Sequence, residues 1–331
     1  MLRFVVKRLL IVIPMLVAIS FLTFVLIQLP PGDFLTAEVA QMRINGDIVD
    51  QQQIDWLRET YGLDQPLLVQ YFQWVKNIVL HGDLGFSFMW KKPVNDLIGE
   101  RILMTLALSL ATLIFTYLVA IPIGIYSAIK QYSWFDYVSS GFAFIGMATP
   151  SFTLALILMI VMNRCFGISI GGLFSREFVS APWNWAKFGD MCKHMITPMI
   201  VLGTSGTAEI IRVMRSQLLD EIKKLYVTTA RSKGVGEAKL TLKYPIRAAL
   251  LPIISTIGWM LPSIFSGATI TAVVLSLPTE GPLLLSSLLD QDMYLAGSFL
   301  LIEATLTVIG TMISDILTAW LDPQTRIALK N

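Results

Sequence analysis

The sequence predicts an all-α polytopic membrane protein with six transmembrane helices, and three observations carry that prediction. Of 331 residues, 55% are hydrophobic and only 15% charged, with a mean hydropathy of +0.67. Soluble globular domains run to about a quarter charged. A spanning helix needs about 20 mainly apolar residues, and the segments 9–29, 103–128, 137–162, 196–217, 248–274 and 295–320 meet that length. Charge is segregated along the chain rather than mixed, so its distribution says more than the net +2.

The first element is residues 1–30. "MLRFVVKRLLIVIPMLVAISFLTFVLIQL" starts with Arg3, Lys7 and Arg8, as a secretory signal does. Its apolar run is longer than a signal core of about 7–15 residues, and no small-x-small cleavage site follows, so a retained transmembrane helix is expected. Residues 31–102 read as an extracytoplasmic segment. Within it "QQIDWLRETYGL" and "PLLVQYFQWVKNIVL" both space apolar residues as a helix does, with a break from Gly62 to Pro66. They form either a small cap or two interfacial helices anchored by Trp56, Tyr71, Phe72 and Trp74. A five-helix core over 103–320 follows, then a tail at 321–331. In the core, Pro122 and Gly124 interrupt the second span and Gly146 to Pro150 the third, which a bundle tolerates where neighbours satisfy the freed backbone groups.

An even helix count puts both termini on one side, and Lys/Arg bias says which. The N-terminus is basic. The connection from Arg212 to Arg247 holds Arg212, Arg215, Lys223, Lys224, Arg231, Lys233, Lys239, Lys243 and Arg247 against Asp220, Glu221 and Glu237. The loop from Ser276 to Tyr294 has Glu280, Asp290 and Asp292 and no base. The termini and the basic connection are therefore expected in the cytoplasm, and 163–195 outside.

The basic connection has no His, no Cys and no paired carboxylates over "YVTTARSKGVGEAKLTLKYPIRAALLP". A phosphate loop is excluded by spacing: G-x-x-x-x-G-K-[ST] after a strand is needed, and here Ala238 precedes Lys239. Attraction to anionic lipid, about 1 kcal/mol per juxtamembrane base, accounts for Arg212, Arg215, Lys223, Lys224 and Arg247. It leaves unexplained two short helical patterns, 222–233 and 237–244, hinged at Gly234-Val235-Gly236. Glycine permits the positive φ of such a hinge, and the small Thr228, Thr229 and Ala230 let a partner's surface approach closely. Two angled helices of this kind can seat in a groove of a soluble protein and pass on its motion.

Tyr226 to Gly234, "YVTTARSKG", resembles the EAA-type cytoplasmic loop of permease subunits of binding-protein-dependent ABC importers in the dipeptide/oligopeptide/nickel branch. Further matches run in order along nearly the whole chain: "YGLDQPLLVQYFQWV", Gly82 to Ser87 with Pro93-Val94, Gly146 to Phe152, "HMITPMIVLG" and "AWLDPQTR". The resemblance implies a type I ABC importer permease fold and a non-catalytic chain in the inner membrane, with ATP and Mg on partner subunits and no cofactor of its own. Its implied partners are a second homologous permease, two ATP-binding subunits, an extracytoplasmic binding protein and lipid, with no nucleic acid. It makes 218–247 the coupling loop, with Gly234 at the turn, Thr229 and Ala230 in close contact, Arg231 and Lys233 as polar anchors, and Thr228 and Glu237 beside them. Departures stand at Ala272, where the family often has Glu, at Thr279 for a Gly, and at Tyr244-Pro245 for His-Ala. They leave a peptide, an oligosaccharide, an opine or a nickel chelate open as the solute.

Other residues keep competing readings. Glu209, three residues before Arg212 on one helix face, suits an internal ion pair or a place in the pathway; Glu303 suits packing or the pathway. Cys165 and Cys192 bracket one outside loop and are candidates for a disulfide as well as for two free thiols. "PWNWAKF" (182–188) reads as an aromatic belt or a contact for the binding protein. Scattered Met residues fill packing gaps, and no metal site is expected. An ion-coupled secondary transporter needs internal repeats and paired intramembrane acids, which are not found. An intramembrane enzyme needs a nucleophile with its base, which two histidines outside the spans do not provide.

Overall fold

Backbone polar groups facing lipid have no water to bond, so spanning segments must satisfy them internally, and this chain does so in helices. The computed structural model describes residues 2–28, 65–87, 89–167, 170–258, 260, 263–264, 269–290 and 292–321. In chain order these form α1 (Leu2–Gln28), α2 (Leu67–His81), β1 (Phe86–Ser87), β2 (Lys92–Pro93) and α3 (Val94–Ile129). There follow α4 (Trp134–Ala148), α5 (Ser151–Phe166), α6 (Trp185–Ile222), α7 (Leu225–Ser232), α8 (Glu237–Lys243) and α9 (Pro245–Ser255). The last are α10 (Thr269–Val274), α11 (Glu280–Leu289) and α12 (Met293–Leu321). The chain divides into two compact units: Val6–Met104 with Thr279–Leu306, and Met1–Val5 with Thr105–Pro278 and Thr307–Asn331.

The unit Val6–Met104 with Thr279–Leu306 is built on α2. Tyr71 and Trp74 are buried. Phe24 stacks on Trp74 with ring centres 5.6 Å apart, and Phe21 meets Tyr71 edge-on at 5.2 Å. The hydroxyls of Ser20 and Tyr71 lie 2.8 Å apart. The second amphipathic pattern is thus a helix that packs Tyr71 and Trp74 inside this unit and leaves Leu68, Phe72, Val79 and Leu80 exposed; the first pattern and Trp56 lie outside the described residues. Gly82 ends α2 in the left-handed conformation, and the chain then forms an antiparallel β1–β2 pair absent from the sequence reading. At Gly85, φ is +104° and a Cβ would lie 2.8 Å from the Tyr294 ring, so no other residue fits. Trp74 Nε1 and Ser298 Oγ both donate to Leu84 O, at 3.2 and 3.3 Å, and Ser87 Oγ donates to the fully buried Asp292. The "GDLGFS" stretch is therefore an architectural joint, and α3 already begins at Val94, inside the segment assigned to 31–102.

The other unit packs α4 and α9 against α6, around Ile210, Met214, Leu218, Ala249, Ile253 and Met260. Among the described residues, Val94–Ile129 and Tyr294–Leu317 are each long and apolar enough to cross a membrane. The third expected span, 137–162, is not one helix: α4 and α5 meet at a bend of 105° and qualify as a span only together. The cause is local. Pro150 disfavours helical backbone at Thr149, which takes φ −92°, ψ 117°. The fifth expected span, 248–274, is also interrupted, with helix α9, a turn at Thr256 and helix α10. In contrast, α6 outruns its expected 196–217. Its 38 residues reach about 57 Å at 1.5 Å per residue, and its C-terminal end leads into the basic loop; unlike the spans just named, it is not among the described helices apolar enough to cross a membrane.

Candidate coupling site

The basic loop takes its form from the end of α6. Glu221 accepts from Lys224 Nζ and from the Tyr226 hydroxyl, both at 2.5 Å. Burial alone would raise the Glu221 carboxyl, but these two bonds outweigh it and hold the group below its usual range. Burial, and next the bond to Glu221, push the Tyr226 phenol up. The turn from α6 into α7 is thereby pinned within the protein, and Lys224, expected in a lipid-facing patch, is engaged there instead.

In α7 a single side chain, Val227, is fully buried, and in α8 the same part is taken by Leu240. Each short helix is thus held by one apolar peg and presents its other residues outward. Thr229 Oγ1 and Ser232 Oγ donate back to the carbonyls of Leu225 (2.9 Å) and Thr228 (3.1 Å), which spends their polarity on the helix. Gly234, at φ +77°, ends α7, with amides of Lys233, Gly234 and Val235 closing onto Thr229, Arg231 and Ala230. The α8 helix starts after Gly236. Tyr244 ends α8 and leads directly into Pro245 at the first position of α9, where a missing N–H costs nothing. The Tyr244-Pro245 departure is therefore a compact helix-to-helix joint.

Thr228, Thr229, Arg231, Lys233, Gly234 and Glu237 are exposed and lie around the hinge, while Ala230 is half-buried. One expectation changes. Arg231 is not a free anchor: its guanidinium grips Glu237 across the hinge, Nε to one oxygen and Nη2 to the other at 3.1 Å. That bond holds the Glu237 carboxyl below and the Arg231 guanidinium above their usual ranges. Leu225 and Leu242, 84% and 68% exposed, flank this polar centre. Sequence reading passed over them because a leucine at helical spacing reads as core.

A second omission lies beneath the loop. Arg215, expected to face lipid, binds Asp136 through Nε at 2.6 Å and Nη2 at 2.7 Å. Asp136 is 2% exposed and also accepts from Ser127 Oγ (2.7 Å) and the Tyr132 amide (2.9 Å). This locks α4 to the stem of α6. An acid placed among apolar residues at the start of a span was the available signal.

Among the described residues no ion pair links Glu209 to Arg212; Arg212 is exposed and Glu209 lines a cavity at the α4–α5 bend. Glu303 is half-buried in α12, and its charge reaches Glu280. Cys165 and Cys192 are exposed and unbridged in this structure, as the free-thiol reading of the pair has it. In "PWNWAKF", Lys187 is buried, donating to Ala181 O at 2.7 Å and lying over the rings of Phe174 and Trp183. No group of three or more His, Cys, Asp or Glu among the described residues is placed to hold a metal.

Residues 120–327 match the family described as binding-protein-dependent transport system inner membrane component, and 1–109 match its N-terminal companion. The chain belongs to this family. It is a multi-pass inner-membrane permease subunit of an ABC importer, itself non-catalytic, in the dipeptide/oligopeptide branch. The permease is 35% identical over 326 residues to the oligopeptide transport system permease protein AppB of Bacillus subtilis, covering 98% of this chain and 99% of that one. It is 31% identical over 342 residues to the dipeptide transport system permease protein DppB of Escherichia coli, with the same coverage. Its fold is similar to a chain of the inward-facing MetNI methionine ABC transporter, with a TM-score of 0.51 at 15% identity, covering 71% of this permease and 97% of that chain.

Proposed function

We propose that this permease forms half of a translocation pathway for a peptide or similar polar solute, and that the loop 218–247 couples it to an ATPase. The observation that carries the coupling is the exposed α7–α8 hinge, each of its helices keeping one buried side chain, Val227 and Leu240, at the end of the 38-residue α6. The loop offers no catalytic group, which suits an element that receives motion. ATP and Mg act on two ATP-binding subunits seated over Leu225, Thr228, Thr229, Ala230, Lys233 and Leu242. A second, homologous permease completes the pathway, and a binding protein delivers the solute from outside. The basic termini and loop lie in the cytoplasm. The solute class rests on the relatives' names. Buried Ala272 and Thr279, in place of the family's acid and glycine, leave room for an oligosaccharide, opine or nickel chelate.

The test is Gly234→Asp. At φ +77° this position is strained for most side chains, and Asp adds charge at the docking centre. The variant is expected to reach the membrane in normal amount yet to lose ATPase co-purification and solute uptake. Normal uptake contradicts the assignment.

A further inference from the structure

The bend between α4 and α5 opens onto a cavity of about 330 Å³, within the range of about 300–1,000 Å³ usual for small-molecule sites. Thr116, Thr149, Ser151, Ser205, Glu209 and Ser263 supply its polar lining. Three features set it apart from a packing gap. Thr116 is fully buried, and its Oγ1 has no hydrogen-bond partner. Glu209 lies half-buried in α6 and has no hydrogen bond or ion pair among the described residues. A carboxylate in that position is costly unless something positive meets it. The 16-residue α5 begins at this cavity, and its N-cap, Pro150, supplies no side-chain acceptor. Thr153 N closes onto Pro150 O at 3.0 Å, so the amides of Ser151 and Phe152, with the helix dipole, present positive potential to the same space. Thr149 Oγ1 donates back to Ile145 O at 2.8 Å and Ser151 Oγ lies 2.8 Å from Thr271 Oγ1, so both hydroxyls are held in place at the bend.

We propose that this cavity is a solute subsite within the pathway, and that it takes a zwitterionic, amino-acid-like group. Glu209 meets the ammonium, the start of α5 meets the carboxylate or a carbonyl, and Thr116 supplies a hydroxyl to the group between them. Discontinuous helices near the bilayer midplane serve transporters in this way in general. The inference rests on the pathway reading above and adds to it a named contact and a ligand charge pattern.

The experiment uses the complete transporter, this permease with its partner permease, ATPase subunits and binding protein, in proteoliposomes loaded with ATP. The probes are labelled alanine di- and tripeptides with free termini. Glu209→Gln is expected to lower the uptake rate about tenfold, the scale of a lost charge-assisted hydrogen bond. Assembly and binding-protein-stimulated ATP hydrolysis stay near wild type. Glu209→Asp recovers part of the uptake, and Thr116→Val lowers it about threefold. Unchanged uptake by Glu209→Gln overturns the subsite while leaving the importer intact. Joint loss of assembly and uptake in Glu209→Gln, without recovery in Glu209→Asp, makes Glu209 a packing residue and also overturns it. A wild-type complex that takes up none of the peptides overturns the peptide reading itself, and the zwitterion site with it.

Discussion

Glu280 sits buried at the start of α11, where loss of water, and then the charge of Glu303, push its carboxyl up to about 9 from 4.5. Between those values the unfolded chain is ionised while the folded chain keeps the proton. The group's contribution to stability is therefore full below pH 4.5 and is lost as pH rises through about 9. The purified permease is expected to melt at a lower temperature at pH 9 than at pH 6, with Glu280→Gln flattening that difference. Identical pH dependence in the variant contradicts this. Arg231 and Glu237 call for a different measurement, because an exposed pair adds little to stability but can fix the angle between α7 and α8. Arg231→Glu and Glu237→Arg should each weaken coupling of ATP hydrolysis to uptake, and the double swap should restore it. An additive loss in the double variant shows that the pair does not act as a hinge clamp.

Elements differ in how much of them the sequence discloses. The hinge was legible: glycines at 234 and 236 between two short amphipathic runs place α7 and α8 within a few residues of their observed bounds. So was the amphipathic α2, whose Tyr71 and Trp74 share a face. The break between α4 and α5 was visible as Gly146 to Pro150 but not as a 105° bend, since apolar content continues on both sides and hydropathy does not register direction. The lock between α4 and α6 was half legible: Asp136 stands out as an acid among apolar residues, but its partner Arg215 is 79 residues away and meets it only once both helices are placed. Removing one partner of a buried pair typically costs about 3–5 kcal/mol, and Arg215 keeps 25% exposure, so the lower end applies. Asp136→Ala should lose about 3 kcal/mol, read as a lower melting temperature. Asp136→Ala with Arg215→Met should recover most of it. If the single variant melts as wild type, the lock is not structural.

At the scale of the whole molecule, three parts stand out: a unit built on α2 and the β1–β2 joint, a bent α4–α5 pair that lines a polar cavity, and a long α6 that ends at the hinge. Family membership makes this an importer permease; the central claim is that the α7–α8 hinge is where an ATPase subunit takes hold. It is tested most directly by a cross-linker on Thr229→Cys, placed in a background with Cys165→Ser and Cys192→Ser, in membranes containing the complete transporter. One major product, joined to an ATPase subunit, is expected, and its yield changes when ATP is added. Products joined only to lipid, or to the binding protein on the opposite side, would contradict it.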